Sequence, residues 1–426
     1  MKNKFIKSTI ILIIGGGLTK ILAMVIKIFL ARSIGEEGNI LYMSVLPTFN
    51  LFITLSTLSL STGISKLISE NRSSQKTILS LIPISLIYNF ILMFILILIS
   101  PFISNNLLNN NLTYYPIMAI SFTLPFICLS TILKGYFFGK EHMTPYVISN
   151  ITEQIIRLIF IIFFLPNLLK YGLHIATTSV VLINILSELS SSICLILFIP
   201  NKKINLTNFK LDKSILKDVL NISIPTTSSR LIGSISYFLE PIILTYIMLK
   251  VGHSNEYITN TYGIITGFVY PLLLIPSFFT SAISNALLPV ISSNYAKHNY
   301  SYAIKKLKQA ITISLVIGFF FTIIFITNSN TLLKLIFNTT LGNNYIKIIA
   351  PFFLLHYIQG PLTAFLQAIG KATTACSGTL TGAIIKNILM FILPIFLGIW
   401  GFIIASIANI FYVTIQHIYH VKKSFI

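Results

Sequence analysis

The chain has 426 residues, 55% of them hydrophobic and only 9% charged, where a soluble domain carries roughly 25% charged residues. Thirty basic and ten acidic side chains cannot coat the surfaces of the soluble domains such a length would form, which excludes a soluble enzyme or soluble binding module. The net charge is +20, but no basic, aromatic-interleaved soluble module is present to bind nucleic acid, so none is expected as a partner.

Apolar runs of about 20 residues recur, each long enough to cross a hydrocarbon core about 30 Å thick. The mean hydropathy is +0.87. The expected fold class is an all-α polytopic membrane protein. The first run follows Met1-Lys2-Asn3-Lys4-Phe5-Ile6-Lys7 and continues to about Leu30 without a small-residue cleavage site, so it reads as a retained helix rather than a signal peptide. In chain order the expected spans are 8–31, 40–64, 78–100, 116–138, 146–165, 173–199, 219–248, 263–288, 309–328, 347–369, 374–397 and 400–420, about twelve in all. Only the segments 200–218 and 289–308 read as long and polar between spans.

Loop charge alternates along this order. Twenty basic residues are assigned to nominally inside segments, among them Lys134 and Lys140 at the end of the fourth span, and five fall outside: Arg32, Lys170, Lys250, Lys334 and Lys347. Lysine and arginine accumulate in cytoplasmic loops, so both termini are expected in the cytoplasm.

The two halves echo one another. Ile155-Ile156-Arg157 in the fifth span matches Ile384-Ile385-Lys386 in the eleventh, and each follows a Gly-Lys pair, Gly139-Lys140 and Gly370-Lys371. Ile64-Ser65 in the second span has its counterpart in Ile283-Ser284 of the eighth. An offset of six helices preserves orientation, the parallel-repeat plan of several transporters. The expectation is two pseudo-symmetric six-helix lobes, 1–199 and 219–426, around a central cavity, joined by a basic cytoplasmic linker, 200–218.

Ionisable side chains inside spans are costly and mark pathways or partners. The basic ones are Lys20, Lys27, Arg157, Arg230 and Lys386; the acidic ones are Glu153, Glu188 and Glu240. Lys20 and Lys27 are seven residues apart and share a helix face. Glu153 and Arg157 have the favourable spacing of an acid four residues before a base. Arg230 and Glu240 lie on one span but out of phase, so each needs another partner. Glu188 sits among Ser187, Ser190, Ser191 and Ser192, a stripe that reads as helix-to-helix hydrogen bonding. The basic excess suits an anion such as a phosphate or pyrophosphate.

Other motifs carry no chemistry. Gly15-Gly16-Gly17-Leu18-Thr19-Lys20 lacks the spacing of a nucleotide loop and reads as close helix packing. Cys128, Cys194 and Cys376 each stand alone in an apolar run, as packing residues, with neither disulfide nor zinc spacing. His417 and His420 form no metal signature. No cofactor and no catalytic residue are expected.

Several stretches resemble the stage V sporulation protein B family. They include Leu133-Lys134-Gly135-Tyr136-Phe137-Phe138-Gly139-Lys140, Glu153-Gln154-Ile155-Ile156-Arg157, Pro225-Thr226-Thr227-Ser228-Ser229-Arg230-Leu231-Ile232-Gly233 and Phe238-Leu239-Glu240-Pro241. So do Leu41-Tyr42-Met43, Tyr262-Gly263-Ile264-Ile265-Thr266-Gly267-Phe268 and Ala350-Pro351-Phe352-Phe353-Leu354-Leu355. The similarity runs in order through nearly the whole chain. It implies membership of the multidrug/oligosaccharidyl-lipid/polysaccharide exporter superfamily and relatedness to lipid II flippases. The implied function is movement of an undecaprenyl-pyrophosphate-linked sugar, a cell-wall or spore-cortex precursor, across the bacterial cytoplasmic membrane. The implied partners are that lipid-linked sugar pyrophosphate, membrane lipids and cell-wall synthesis enzymes.

In those flippases basic residues of the first helix line the cavity. Their Ser-Arg step matches Thr19-Lys20, whereas their next arginine aligns with Ile26, one residue before Lys27. The resemblance implies a usual count of fourteen helices, whereas about twelve are expected here, without the last pair. The substrate cavity is expected to draw on Lys20, Lys27, Arg157, Arg230, Glu240 and Lys386, with Lys20 and Arg230 on the pyrophosphate and Glu240 as a competing carboxylate for release. The alternatives are a cation-coupled multidrug exporter, which calls for an acid in the first lobe's cavity where span one carries lysines, and a membrane polysaccharide polymerase, for which no outside loop is long enough. A non-transporting sporulation scaffold is a further alternative.

Overall fold

The computed structural model describes residues 2–70, 75–199 and 213–424, and no strand occurs among them. Among the described residues, 11 helices are long and apolar enough to cross a membrane. The chain is a multi-pass, all-α membrane protein. The first of these segments, Ile14–Ser69, holds two of the expected spans, which reconciles the helix count with the sequence reading.

Helix α1, Lys2–Thr57, runs through what the sequence divides at 32–39. Its one break is at Gly35, with φ 70° and ψ −173°. That backbone region is essentially closed to residues with a Cβ, so glycine lets two spans follow one another without an intervening loop. A second break follows at Leu58 and Ser59, which are left-handed at φ 44° and 49°, and α2, Leu60–Ser69, resumes from there.

The next helices are α3, Gln75–Phe102, α4, Tyr114–Gly139, α5, Met143–Phe163, and α6, Leu173–Leu197. Helix α7 covers Lys213–Lys250 and α8 Asn255–Ile264; a π-helical turn, Ile265–Val269, leads on toward α9, Ile275–Ala296. Then come α10, Tyr300–Phe337, α11, Asn343–Ala368, α12, Ala372–Leu397, and α13, Ile399–Lys423.

Two sequence expectations need correction. The segment 289–308 is not a polar loop, because α9 reaches Ala296 and α10 starts at Tyr300. A helix satisfies its own backbone groups whether lipid or water surrounds it, so it can outlast the apolar run that reveals it. Of the expected linker 200–218, residues 213–218 open α7, and the remainder lies outside the described residues.

Contacts divide the chain into two units, Met1–Phe238 and Leu239–Ile426, so α7 contributes to both. In the first unit α4 is central: 72% of its most apolar window is buried, against 17% for α3, whose hydropathy is higher. Lipid tails are as apolar as leucine, so the greasier helix can turn outward, with Phe94 and Leu98 each 62% exposed. The core here joins Leu60 and Ile64 of α2, Cys128, Leu133 and Phe137 of α4, Leu195 of α6 and Val219 of α7. In the second unit a corresponding cluster joins Leu287 and Ile291 of α9, Leu307 of α10, Phe365 of α11 and Ala375 of α12.

Candidate substrate-binding site

Small residues set the geometry of the first unit. A Cβ on Gly135 would lie 2.7 Å from the Ser61 Cα, and one on Gly139 would lie 2.7 Å from the Ser65 carbonyl oxygen. Across the other side of α2, a Cβ on Gly63 would clash with the Ser223 Oγ. Helix α2 is therefore seated backbone-to-backbone on α4 and closely against α7, as small residues allow in membrane helices. Polar bonds tie the same region: Thr54 and Ser234 hydroxyls are 2.7 Å apart, and the Ser56 Oγ donates to Asn89 Oδ1 at 2.6 Å.

Beside this seat four charged side chains from three helices form one network. Lys134 of α4 donates to Glu153 Oε2 of α5 at 2.8 Å, and its Nζ lies 3.8 Å from Glu188 Oε2 of α6. Arg157 Nη2 lies 3.0 Å from Glu153 Oε1 and donates to Ser187 Oγ at 3.3 Å. The sequence spacing of Glu153 and Arg157 is thus a formed pair. Two further expectations change. Lys134 is not a cytoplasmic-loop charge but belongs inside α4, and its tell-tale was its place within an apolar span, before Gly135. Glu188 is balanced by that lysine rather than by the serine stripe: Ser187 and Ser190 hydroxyls bond carbonyls of their own helix, Asn184 and Ser187.

Lys134 also lines a cavity of about 400 Å³, together with Thr57, Ser61, Thr62, Ser65 and Arg230. No carboxylate lines it. Arg230 is exposed, and its Nη1 donates to Ser59 Oγ at 3.4 Å, at the break between α1 and α2.

The second unit holds a buried pair. Lys386 Nζ of α12 lies 2.8 Å from Glu240 Oε1 of α7, with both side chains about nine-tenths buried. The ammonium also lies 5.1 Å from the centre of the Phe402 ring. Lys386 lines a cavity of about 300 Å³ with His356, Gln359, Ser406 and Asn409. Glu240, which the sequence offered as a carboxylate for substrate release, is engaged by this lysine instead, because a buried carboxylate requires a cation beside it.

Of the six expected site residues, the structure joins Glu240 with Lys386, pairs Arg157 with Glu153, and sets Arg230 on the first cavity's wall. Lys20 and Lys27 are exposed on α1. Among the described residues no carboxylate pairs with Lys20, Lys27 or Arg230. Of the glycine run, Gly15 packs on Val147 while Gly16 and Gly17 face open space. No cluster of metal-ligating residues occurs among the described residues.

Comparison with known proteins agrees with this architecture. The profile of a family described as polysaccharide biosynthesis protein matches residues 5–295, and that of the MatE family matches residues 233–393. The chain is similar to Stage V sporulation protein B of Bacillus subtilis (strain 168), with 34% identity over 436 aligned residues covering 99% of this chain and 84% of the relative. It is also similar to Lipid II flippase MurJ of the same organism, with 23% identity covering 91% of this chain and 77% of the relative. Among solved structures, an inward-facing multidrug resistance MATE family transporter of the MOP superfamily shares the fold, with a TM-score of 0.74 at 15% identity over 95% of this chain and 94% of that one.

Proposed function

The chain belongs to the polysaccharide biosynthesis protein family, and from that premise we propose that it is a flippase for an undecaprenyl-pyrophosphate-linked sugar. The substrate enters from the cytoplasmic face and crosses the cytoplasmic membrane by alternating access between two lobes. In this reading both termini are cytoplasmic, the product feeds cell-wall or spore-cortex synthesis, and the enzymes of that synthesis are its partners.

One observation carries the sign of the substrate. The three in-span carboxylates, Glu153, Glu188 and Glu240, each have a lysine or arginine beside them. Lys20, Lys27 and Arg230 have no carboxylate among the described residues. Uncompensated charge in a membrane protein is therefore positive, and it complements a pyrophosphate. A cation exporter calls for the reverse, an acid left over for the cargo.

The substrate path is assigned to Lys20, Lys27 and Arg230, with Arg157, Lys386 and Glu240 contributing from their ion pairs. The test is rescue of a strain depleted of its own lipid-linked sugar flippase, with the exported sugar labelled from outside. Growth with labelled sugar at the outer face supports the assignment. A membrane-inserted protein that restores neither would refute it.

A further inference from the structure

We propose that the cavity at the α1–α2 break is a diphosphate-binding seat, in which Lys134 and Arg230 hold the anion while Glu153 and Glu188 compete with it for Lys134. The seat deepens the transport reading and rests on it for the identity of the diphosphate as a lipid headgroup; its anion chemistry stands on the geometry alone.

The lining is cationic and hydroxylic. Lys134, Arg230, Thr57, Ser61, Thr62 and Ser65 surround about 400 Å³, within the range of small-ligand pockets, roughly 300–1,000 Å³. Among the described residues Arg230 makes one hydrogen bond, at 3.4 Å to Ser59, longer than an ordinary N–H···O bond, so its fork remains available for bidentate contact with phosphate oxygens. Ser59 precedes α2 without capping it through its side chain, which adds the positive end of a helix dipole to the same wall.

Lys134 faces two ways. Its side chain lines the cavity, while its ammonium lies 2.8 Å from Glu153 and 3.8 Å from Glu188. An ammonium has three donors and no acceptor, so a phosphate oxygen can take one that the longer Glu188 contact does not hold. The carboxylates then act as an internal competitor: they keep Lys134 charged and oriented when the seat is empty, and they weaken its grip enough for release. This predicts a change of opposite sign on the two sides of the cation. Removing a base weakens binding, and neutralising Glu188 strengthens it. A merely structural role for the network would make both substitutions harmful.

The experiment is calorimetric titration of the purified full-length protein in detergent with inorganic pyrophosphate, with malonate as a carboxylate control and geranylgeranyl diphosphate as a lipid form. Wild-type protein is expected to prefer pyrophosphate over malonate. Arg230→Gln should weaken it by about tenfold or more, the loss of one charge-assisted contact. Lys134→Gln should do the same, and Glu188→Gln should tighten binding several-fold. Thermal unfolding of each variant shows whether it is folded, and Arg230→Gln, at an exposed position, remains decisive if Lys134→Gln does not fold. Wild-type affinity in Arg230→Gln, or weaker binding in Glu188→Gln, would overturn the seat. Tighter binding of the isoprenoid diphosphate supports the headgroup as its ligand, and equal binding overturns that part. Export that persists in Arg230→Gln removes the seat from the transport path and leaves transport standing. Pyrophosphate binding without any export leaves the seat and removes the transport reading.

Discussion

Lys386 and Glu240, far apart in sequence, meet at 2.8 Å with both side chains about nine-tenths buried. Removing one partner of such a pair strands a charge, typically at a cost of about 3–5 kcal/mol, whereas replacing both by apolar groups is often neutral. Lys386→Met should therefore lower the thermal unfolding midpoint sharply. The double variant Lys386→Met/Glu240→Leu should recover most of it. Thermal scans in detergent measure this, and a double variant no better than the single would show that the pair is not what matters there.

Lys20 and Lys27 are expected to separate from Arg157. The lysines are exposed and carry no carboxylate partner among the described residues, so Lys20→Gln and Lys27→Gln should reduce export while leaving the unfolding midpoint close to wild type. Arg157 holds Glu153 of its own helix and Ser187 of α6, so Arg157→Gln should lower the midpoint by loosening α5 from α6. Export assays and thermal scans on the same preparations resolve the two patterns.

The contact of α2 with α4 gives a steric prediction. Gly135→Ala would drive a methyl to 2.7 Å from the Ser61 Cα, a backbone atom that cannot turn aside. The helices must move apart, and the protein should lose stability and the adjoining cavity's shape. Gly16→Ala meets nothing within 4 Å and should be neutral or stabilising by about 0.5–1 kcal/mol, the usual helix preference for alanine. Comparison of the two unfolding midpoints tests the assignment.

Gly35 makes a backbone prediction. At φ 70° and ψ −173° any side chain is strained by about 1–3 kcal/mol, although open space surrounds the position. Gly35→Ala should lower the unfolding midpoint with no steric contact to relieve. A variant as stable as wild type would mean the break between the first two spans adopts another conformation.

Direction of transport yields a fifth test. An anion leaving a cell whose interior is negative moves downhill by about 2.3 kcal/mol per charge per 100 mV. The expected source of drive is therefore this electrophoretic term. Collapsing the potential with valinomycin and potassium should slow sugar-lipid export in cells that depend on this protein. Export unchanged at zero potential, yet abolished by removing a proton or sodium gradient, would replace this source with ion coupling.

That this is a helical membrane protein was legible in the sequence alone, because apolar runs about 20 residues long with few charges fit the bilayer core as helices that satisfy their own backbone groups. The sequence also picked out most of the expensive charges, since burial cost is a property of the residue and its run, although Lys134 escaped because it lies near the end of its span. Even the Glu153–Arg157 pair was legible, being local to one helix turn. Helix ends were not, as with 289–308, because a helix continues past the lipid boundary without a hydrophobic signal. Partners were not legible either. Lys134 read as a loop charge until α5 and α6 brought Glu153 and Glu188 to it, and Glu240 read as needing a partner that only the approach of α12, with Lys386, identified. Ion pairing falls off over a few ångströms, and only the tertiary packing, set here by glycines that let backbones touch, decides which charges come that close.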